Sequence, residues 1–112
     1  MEPSPERLKR RAEFLRVARA GRKAPAPGLV LQALLREGGP ARVGFTVTRR
    51  VGNAVVRNRT RRRLKEAARL LFEKRPVAGV DLVVIGREAT RRRKFSALIE
   101  DLRRALAKTG VE

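Results

Sequence analysis

The chain has 112 residues, with 29 Lys and Arg against 11 Asp and Glu, and a formal net charge of +18. That length leaves room for one domain, residues 1–112, and that charge favours a polyanionic partner. With no Cys and no His, disulfides, thiolate nucleophiles, imidazole bases and most zinc sites are excluded.

The opening Met1-Glu2-Pro3-Ser4-Pro5 lacks the basic-then-apolar order of an export signal, and no apolar run is long enough to span a membrane. A cytoplasmic protein with no membrane partner is expected, with Met1 to Pro5 a candidate for a disordered end. Ser4-Pro5-Glu6 then reads as a helix start, with Gly21 ending the helix after Ala20. Its second half, Arg11 to Ala20, carries the clearer pattern, with Phe14, Val17 and Ala18 on one side.

Residues 22–28 read as an extended basic linker, because two prolines prevent helix there. Leu29 to Leu35 reads as a strand, and Arg36-Glu37-Gly38-Gly39-Pro40 as a turn. Arg42 to Thr48 alternates Val43, Phe45 and Val47 against Arg42, Gly44, Thr46 and Thr48, the period of a strand with one buried face. The two strands are expected to form a hairpin.

Gly52 makes a turn and Asn53 a helix cap. From Ala54 to about Arg75 no Gly or Pro interrupts a run of good helix formers, enough for a helix roughly 30 Å long. Val56, Thr60, Leu64, Ala67 and Leu71 share one arc. Asn58, Arg62, Lys65 and Arg69 lie opposite, while Arg57 and Arg61 border the arc on one edge and Arg59 and Arg63 on the other. From Arg49 to Arg69 the only acid is Glu66. A merely solvated helix face would carry alternating signs. Density of one sign repels itself unless a polyanion neutralises it, so nucleic-acid backbone binding is the better reading.

Val80 to Ile85, interrupted only by Asp81, reads as a buried strand. Arg91-Arg92-Arg93-Lys94 is a second cationic run. Phe95, Leu98, Ile99, Leu102 and Leu106 then mark an amphipathic helix that ends before Gly110. The predicted order is α-β-β-α-β-α, an α/β (α+β) two-layer sandwich of a small mixed sheet with helices packed on it.

The acids are scattered, and no glycine-rich phosphate loop follows a strand. Nothing assembles a catalytic site from protein side chains. Trp and Tyr are absent and only Phe14, Phe45, Phe72 and Phe95 are aromatic, so a base-stacking surface must be small.

The run Val43-Gly44-Phe45-Thr46-Val47-Thr48-Arg49-Arg50-Val51-Gly52-Asn53-Ala54-Val55-Val56-Arg57-Asn58-Arg59, continuing Arg62-Arg63-Leu64-Lys65-Glu66, closely resembles the signature of bacterial ribonuclease P protein subunits. Leu8, the Glu13-Phe14 pair and Asp81-Leu82-Val83-Val84-Ile85-Gly86-Arg87 extend the resemblance to about residues 7–108. It implies a fold like the second domain of ribosomal protein S5, with the basic helix as a left-handed crossover. It also implies a partnership with a catalytic RNA that uses magnesium to cut the 5′ leader from precursor tRNA. Magnesium would be held mainly by that RNA and by no protein side chains alone, and no further protein partner is required.

By position, the resemblance implies an RNA-binding face of Arg49, Arg50, Asn53, Arg57, Asn58, Arg59, Arg61, Arg62 and Lys65. It implies a leader cleft of Phe14, Val30, Gln32, Arg50, Arg57, Asn58 and Arg87, with no catalytic residue in the protein. Ala18 and Gln32 stand where the family often has aromatics. Base stacking is worth ~1–3 kcal/mol, so leader contacts here are expected to be weaker or to rely more on arginine. A structural ribosomal RNA-binding protein is the nearest rival reading, and a DNA-binding helix module a more distant one.

Overall fold

The computed structural model describes residues 5–111. Along the chain its elements are β1 (Glu6–Arg7), α1 (Arg11–Ala20), β2 (Arg22–Pro25), β3 (Leu29–Pro40), β4 (Arg42–Val47), a 3₁₀ turn (Arg49–Val51), α2 (Ala54–Lys74), β5 (Ala78–Gly86), α3 (Glu88–Arg92) and α4 (Phe95–Lys108). They build one mixed sheet in the order β1-β4-β5-β3-β2. Residues 80–85 are apolar on both sides of the chain apart from Asp81, and such a strand must be covered on both faces. β5 accordingly sits at the centre, parallel to β4 and antiparallel to β3.

This placement corrects the expected hairpin. β3 and β4 are not neighbours, because β5 inserts between them, and α2 is the crossover that joins the parallel pair β4 and β5. A parallel pair requires such a crossover. The expected turn at 36–40 is also the end of β3, which continues to Pro40 through an irregularity after Leu35. Gly38 and Gly39 take positive φ there, a backbone that glycine adopts without strain.

The residues expected as a basic linker include β2, which pairs antiparallel with β3 from Arg22↔Ala33 to Pro25↔Val30. Proline is tolerated because β2 is an edge strand. The helix expected from Ser4 begins instead at Arg11. Ser4 lies outside the described residues, as does most of the end expected to be disordered. Glu6 and Arg7 form an edge strand, in which Glu6 N donates to Ala41 O at 2.8 Å and Leu8 N to Val43 O at 3.1 Å. The extended chain drives Leu8 into a small core under α1. The helix start is then set by Glu13, whose Oε1 accepts the Lys9 and Arg10 amides at 3.1 and 2.9 Å. Those amides, with Arg42 beside them, hold its carboxyl below the ordinary range.

One sheet face carries the main core. Leu29 and Leu31 of β3, Val43 of β4, and Val80, Leu82 and Val84 of β5 meet Leu64, Leu71 and Phe72 of α2 and Leu102 and Leu106 of α4. Each large side chain buried this way contributes roughly 1.5–3 kcal/mol. The opposite face is thinner: Leu8, Val17 and Val83 are buried, with Phe14, Leu34 and Ile85 packed against them. The sheet and the helices of its main core make the expected sandwich, and α1 adds partial cover on the other side.

That thin cover is reinforced by charge. Arg42 donates from Nε and Nη2 to the two oxygens of buried Asp81 at 2.8 and 2.6 Å, and from Nη1 to Glu13 of α1 at 2.6 Å. Arg36 Nε lies 2.8 Å from Asp81 Oδ1. Asp81 is only 1% exposed, so its charge stands paired by two guanidiniums rather than by water.

Candidate nucleic-acid interface

The basic helix is launched from the sheet by a short, well-specified reversal. Val51 in the 3₁₀ turn is buried at its end, leaving Arg49 and Arg50 exposed before it. Gly52 has φ of 155° and a Cβ there would lie 2.9 Å from Val56, so both backbone and space require glycine. The Asn53 side chain accepts from Val56 N at 3.0 Å, the expected cap. One lone pair of its oxygen is thereby committed to the helix, and its NH₂ is left to donate to a partner.

Within α2, Thr60, Leu64, Ala67 and Leu71 are buried and Val56 half-buried, as the predicted arc requires, with Ala68 and Phe72 added. Asn58, Arg59 and Arg62 are exposed, and Arg57, Arg61 and Lys65 half-buried. Arg57 Nη1 reaches Gly52 O at 3.4 Å and Arg61 Nη1 reaches Asn58 Oδ1 at 2.7 Å. Among the described residues no acid pairs with Arg49, Arg50, Arg57, Arg59, Arg61, Arg62 or Lys65. The effect registers on Lys65, whose pKa is pushed down by partial burial and then by Arg7, Arg61 and Arg62. This is a cluster of like charge with no internal counter-ion.

Arg7 belongs to this cluster although sequence reasoning missed it. Leu8 points into the core under α1, so strand alternation turns Arg7 to the other face. There it stands beside Val43, its register partner, next to α2. The signal was present in the basic run Arg7 to Arg11, but reading it as helix concealed which face Arg7 occupies.

The distal half of α2 is different. Arg69 meets Glu66 at 2.6 and 3.0 Å and Glu73 at 2.6 Å, the neutralisation that the two acids suggest in the sequence. Arg63 turns inward: Nη1 donates to the Thr90 carbonyl and Nη2 to Arg93 O at 2.6 Å.

The expected leader cleft maps to the face under α1. Val83 and Ile85 point there, and the extended backbone at Arg87 (φ −128°, ψ 177°) continues the row. On β3, Val30 stands opposite Ile85 and Gln32 opposite Val83. On β4, Thr46 flanks Ile85, and Gly44 lies beneath α1. A Cβ at Gly44 would come within 2.4 Å of the Phe14 ring. Phe14 is therefore seated directly on the strand backbone and half-buried, packed on the small core under α1. Gln32, Thr46 and Ile85 stay half-exposed, so α1 covers this face only in part.

Phe14, Val30, Gln32 and Arg87 thus share one face. Arg50, Arg57 and Asn58 do not lie on it. They belong to the 3₁₀ turn and the first turns of α2, which follow the carboxyl-terminal end of β4.

Among the described residues no three Asp or Glu side chains come together to hold a metal ion. The two buried acids are taken by guanidinium groups, Asp81 by Arg36 and Arg42 and Asp101 by Arg93. No helix among the described residues is long and apolar enough to cross a membrane.

Comparison with known proteins gives a consistent result. The ribonuclease P family profile matches residues 3–110. The ribonuclease P protein component of Gluconacetobacter diazotrophicus is 67% identical over 106 residues, covering 94% of this chain and 91% of that one. The same component of Paramagnetospirillum magneticum is 52% identical over 110 residues, covering 94% and 83%. The solved RNase P protein of Staphylococcus aureus is similar with a TM-score of 0.77 at 25% identity, covering 96% of this chain and 98% of that one. That of Thermotoga maritima reaches 0.72 at 28% identity, covering 92% and 96%.

Proposed function

The chain belongs to the ribonuclease P protein family, and from that membership and the geometry above we propose how its two surfaces divide the work. The protein is a component of an endoribonuclease holoenzyme, partners the ribonuclease P RNA, and serves in 5′ processing of tRNA. The ribosomal and DNA-binding readings of the charge give way to that membership.

The exposed cations of the 3₁₀ turn and the first half of α2 dock on the RNA subunit. Arg49, Arg50, Arg57, Arg59, Arg61, Arg62 and Lys65 supply the charge, Arg7 joins them from β1, and Asn53 and Asn58 add polar contacts. The carrying observation is that none of these seven α2 and 3₁₀-turn cations is paired with an acid among the described residues. A polyanion relieves the mutual repulsion of such a cluster, and each phosphate met releases counter-ions.

The groove under α1 takes the single-stranded leader of precursor tRNA. Phe14 offers the one aromatic face, Gln32 the floor beside buried Val30, and Arg87 a phosphate contact at the end. Arg50, Arg57 and Asn58 meet the chain where leader and RNA subunit converge. Bond cleavage falls to the RNA, which holds the magnesium, and the protein works in the cytoplasm as a single domain.

The test is cleavage of precursor tRNA by a bacterial ribonuclease P RNA at low magnesium, with and without this protein. Leaders of increasing length are compared, and Arg57→Ala and Arg59→Ala run alongside. Rescue that grows over the first several leader nucleotides supports both surfaces. Rescue indifferent to leader length leaves the RNA-docking helix and removes the groove from the reading.

A further inference from the structure

The second cationic run, Arg91 to Lys94, has only partly the character of a solvated surface. It follows α3, whose Thr90 is fully buried and joins two distant chain segments. Thr90 Oγ1 accepts the Arg87 amide at 2.8 Å and donates to Gly28 O at 2.6 Å. Asp101 of α4, 2% exposed, accepts Gly28 N at 3.0 Å, and Nε and Nη2 of Arg93 both at 3.0 Å. A Cβ at Gly28 would lie 2.7 Å from Leu98 and 2.8 Å from Asp101, so the loop before β3 is fitted against α4 with no room to spare.

Arg63 closes the assembly from α2. Its guanidinium collects the carbonyls of Thr90 and Arg93, and of Arg91 at 3.3 Å. These carbonyls end a short helix whose last turn has no continuation. The planar fork of arginine can serve several acceptors at once, which a lysine ammonium on a flexible stem does less well. Arg63, at the edge of the apolar arc, therefore spends its charge inside the protein, unlike its neighbours Arg61 and Arg62.

The consequence is mechanical. Arg87, at the end of the leader groove, has its backbone fixed by Thr90. Thr90 is gripped through its carbonyl by α2 and through its hydroxyl by the loop that opens β3. We infer that Arg63, Thr90, Arg93 and Asp101 form a latch that sets Arg87 relative to the RNA-docking helix, so that the seat of α2 on the RNA subunit determines where Arg87 meets the leader. These are positioning residues. The inference rests on the division of surfaces proposed above.

The experiment uses the holoenzyme assembled from full-length protein and ribonuclease P RNA. Binding is measured for precursor tRNA with a long leader and for mature tRNA, and separately for protein and RNA subunit across a salt series. Thr90→Val, which removes the hydroxyl at nearly constant shape, and Arg63→Gln should each weaken the leader-dependent gain by about tenfold, the size of one charge-assisted hydrogen bond. Affinity for the RNA subunit and its salt slope should not change. Thr90→Ser, which keeps the hydroxyl, should restore the gain.

In an Arg87→Ala background, Arg63→Gln should have no further effect on leader binding, because what it positions is gone. Equal loss of RNA-subunit and leader affinity, or additive losses with Arg87→Ala, would overturn the latch. If Thr90→Val fails to fold, the double-mutant cycle of Arg63 and Arg87 decides between latch and no latch by itself. A parent holoenzyme with no leader dependence would instead bring down the underlying division of surfaces.

Discussion

The two halves of α2 carry the same residue type and use it in opposite ways. From Arg57 to Lys65 the exposed cations meet no acid among the described residues, whereas Arg69 is held between Glu66 and Glu73. Arg63, in the middle, is absorbed by backbone carbonyls. Charge density along a sequence is therefore a poor guide to which arginines bind a partner. What separates them is whether the fold already supplies the counter-charge.

The largest effect should come from breaking the most internal pairing. Asp81→Asn removes the charge that Arg36 and Arg42 share and also loosens the tie from Arg42 to Glu13 on α1. Its expected cost is roughly 3–5 kcal/mol, the usual penalty for breaking a buried ion pair from one side. Chemical unfolding of the parent and variant measures it. A loss well under 1 kcal/mol would mean that α1 is held by its apolar contacts alone.

Next come the uncompensated cations. Arg62→Gln, or Arg7→Gln on β1, should lower affinity for the RNA subunit by about tenfold and reduce the slope of log affinity against log salt by about one. Protein stability should not fall. A titration series at several salt concentrations decides it, and an unchanged slope would remove that residue from the interface. Arg69→Gln is the matched control: both RNA affinity and melting temperature should stay at the parent values, since exposed helix pairs contribute little. A large drop in RNA affinity for Arg69→Gln would erase the distinction between the halves.

The smallest effect concerns protonation of Lys65. In the free protein its pKa lies below the ordinary 10.5 because of burial and neighbouring cations. A lowered pKa for a base means that the ammonium costs the fold stability at pH values below it, and that this cost vanishes as the pH rises through the ordinary value. Phosphates should reverse the shift, so the pKa of Lys65 rises on RNA binding, and affinity weakens as the pH climbs through the folded value. Side-chain NMR of the lysine with and without RNA measures it. A pKa unmoved by RNA would place Lys65 away from any phosphate.

Much of the fold was legible in the chain. The spans of α2, α4 and the core of β5 follow from periodicity, the Asn53 cap, the uninterrupted run of helix formers to about Arg75 and the break at Gly110. Periodicity, however, describes one segment at a time. It could not say that β5 would part β3 from β4, since pairing is decided by which strand most needs cover. A strand of two residues, β1, carries too little pattern to outweigh a Ser-Pro-Glu helix start, and with it Arg7 was lost from the basic cluster.

Phe14, Val30, Gln32 and Arg87, proposed above to hold the leader, came from resemblance, and strand alternation puts them on a common face. The latch had no local signal. Asp101 meets Gly28 across 73 positions and Thr90 meets it across 62. Helical spacing puts Arg63 at the edge of the apolar arc and Arg62 opposite it, but the carbonyls that take up Arg63 lie 27 to 30 positions away, beyond any local pattern.

The central claim is that two surfaces meet two different RNAs, and the absence of cysteine makes it directly measurable. Single cysteines placed by Gln32→Cys in the groove and by Val55→Cys, at an exposed position of α2, can each carry a tethered hydroxyl-radical source in the assembled holoenzyme with precursor tRNA. Expected are cuts in the leader from position 32 and cuts in the ribonuclease P RNA from position 55. Cuts in the RNA subunit from both positions, with the leader untouched, would contradict the division.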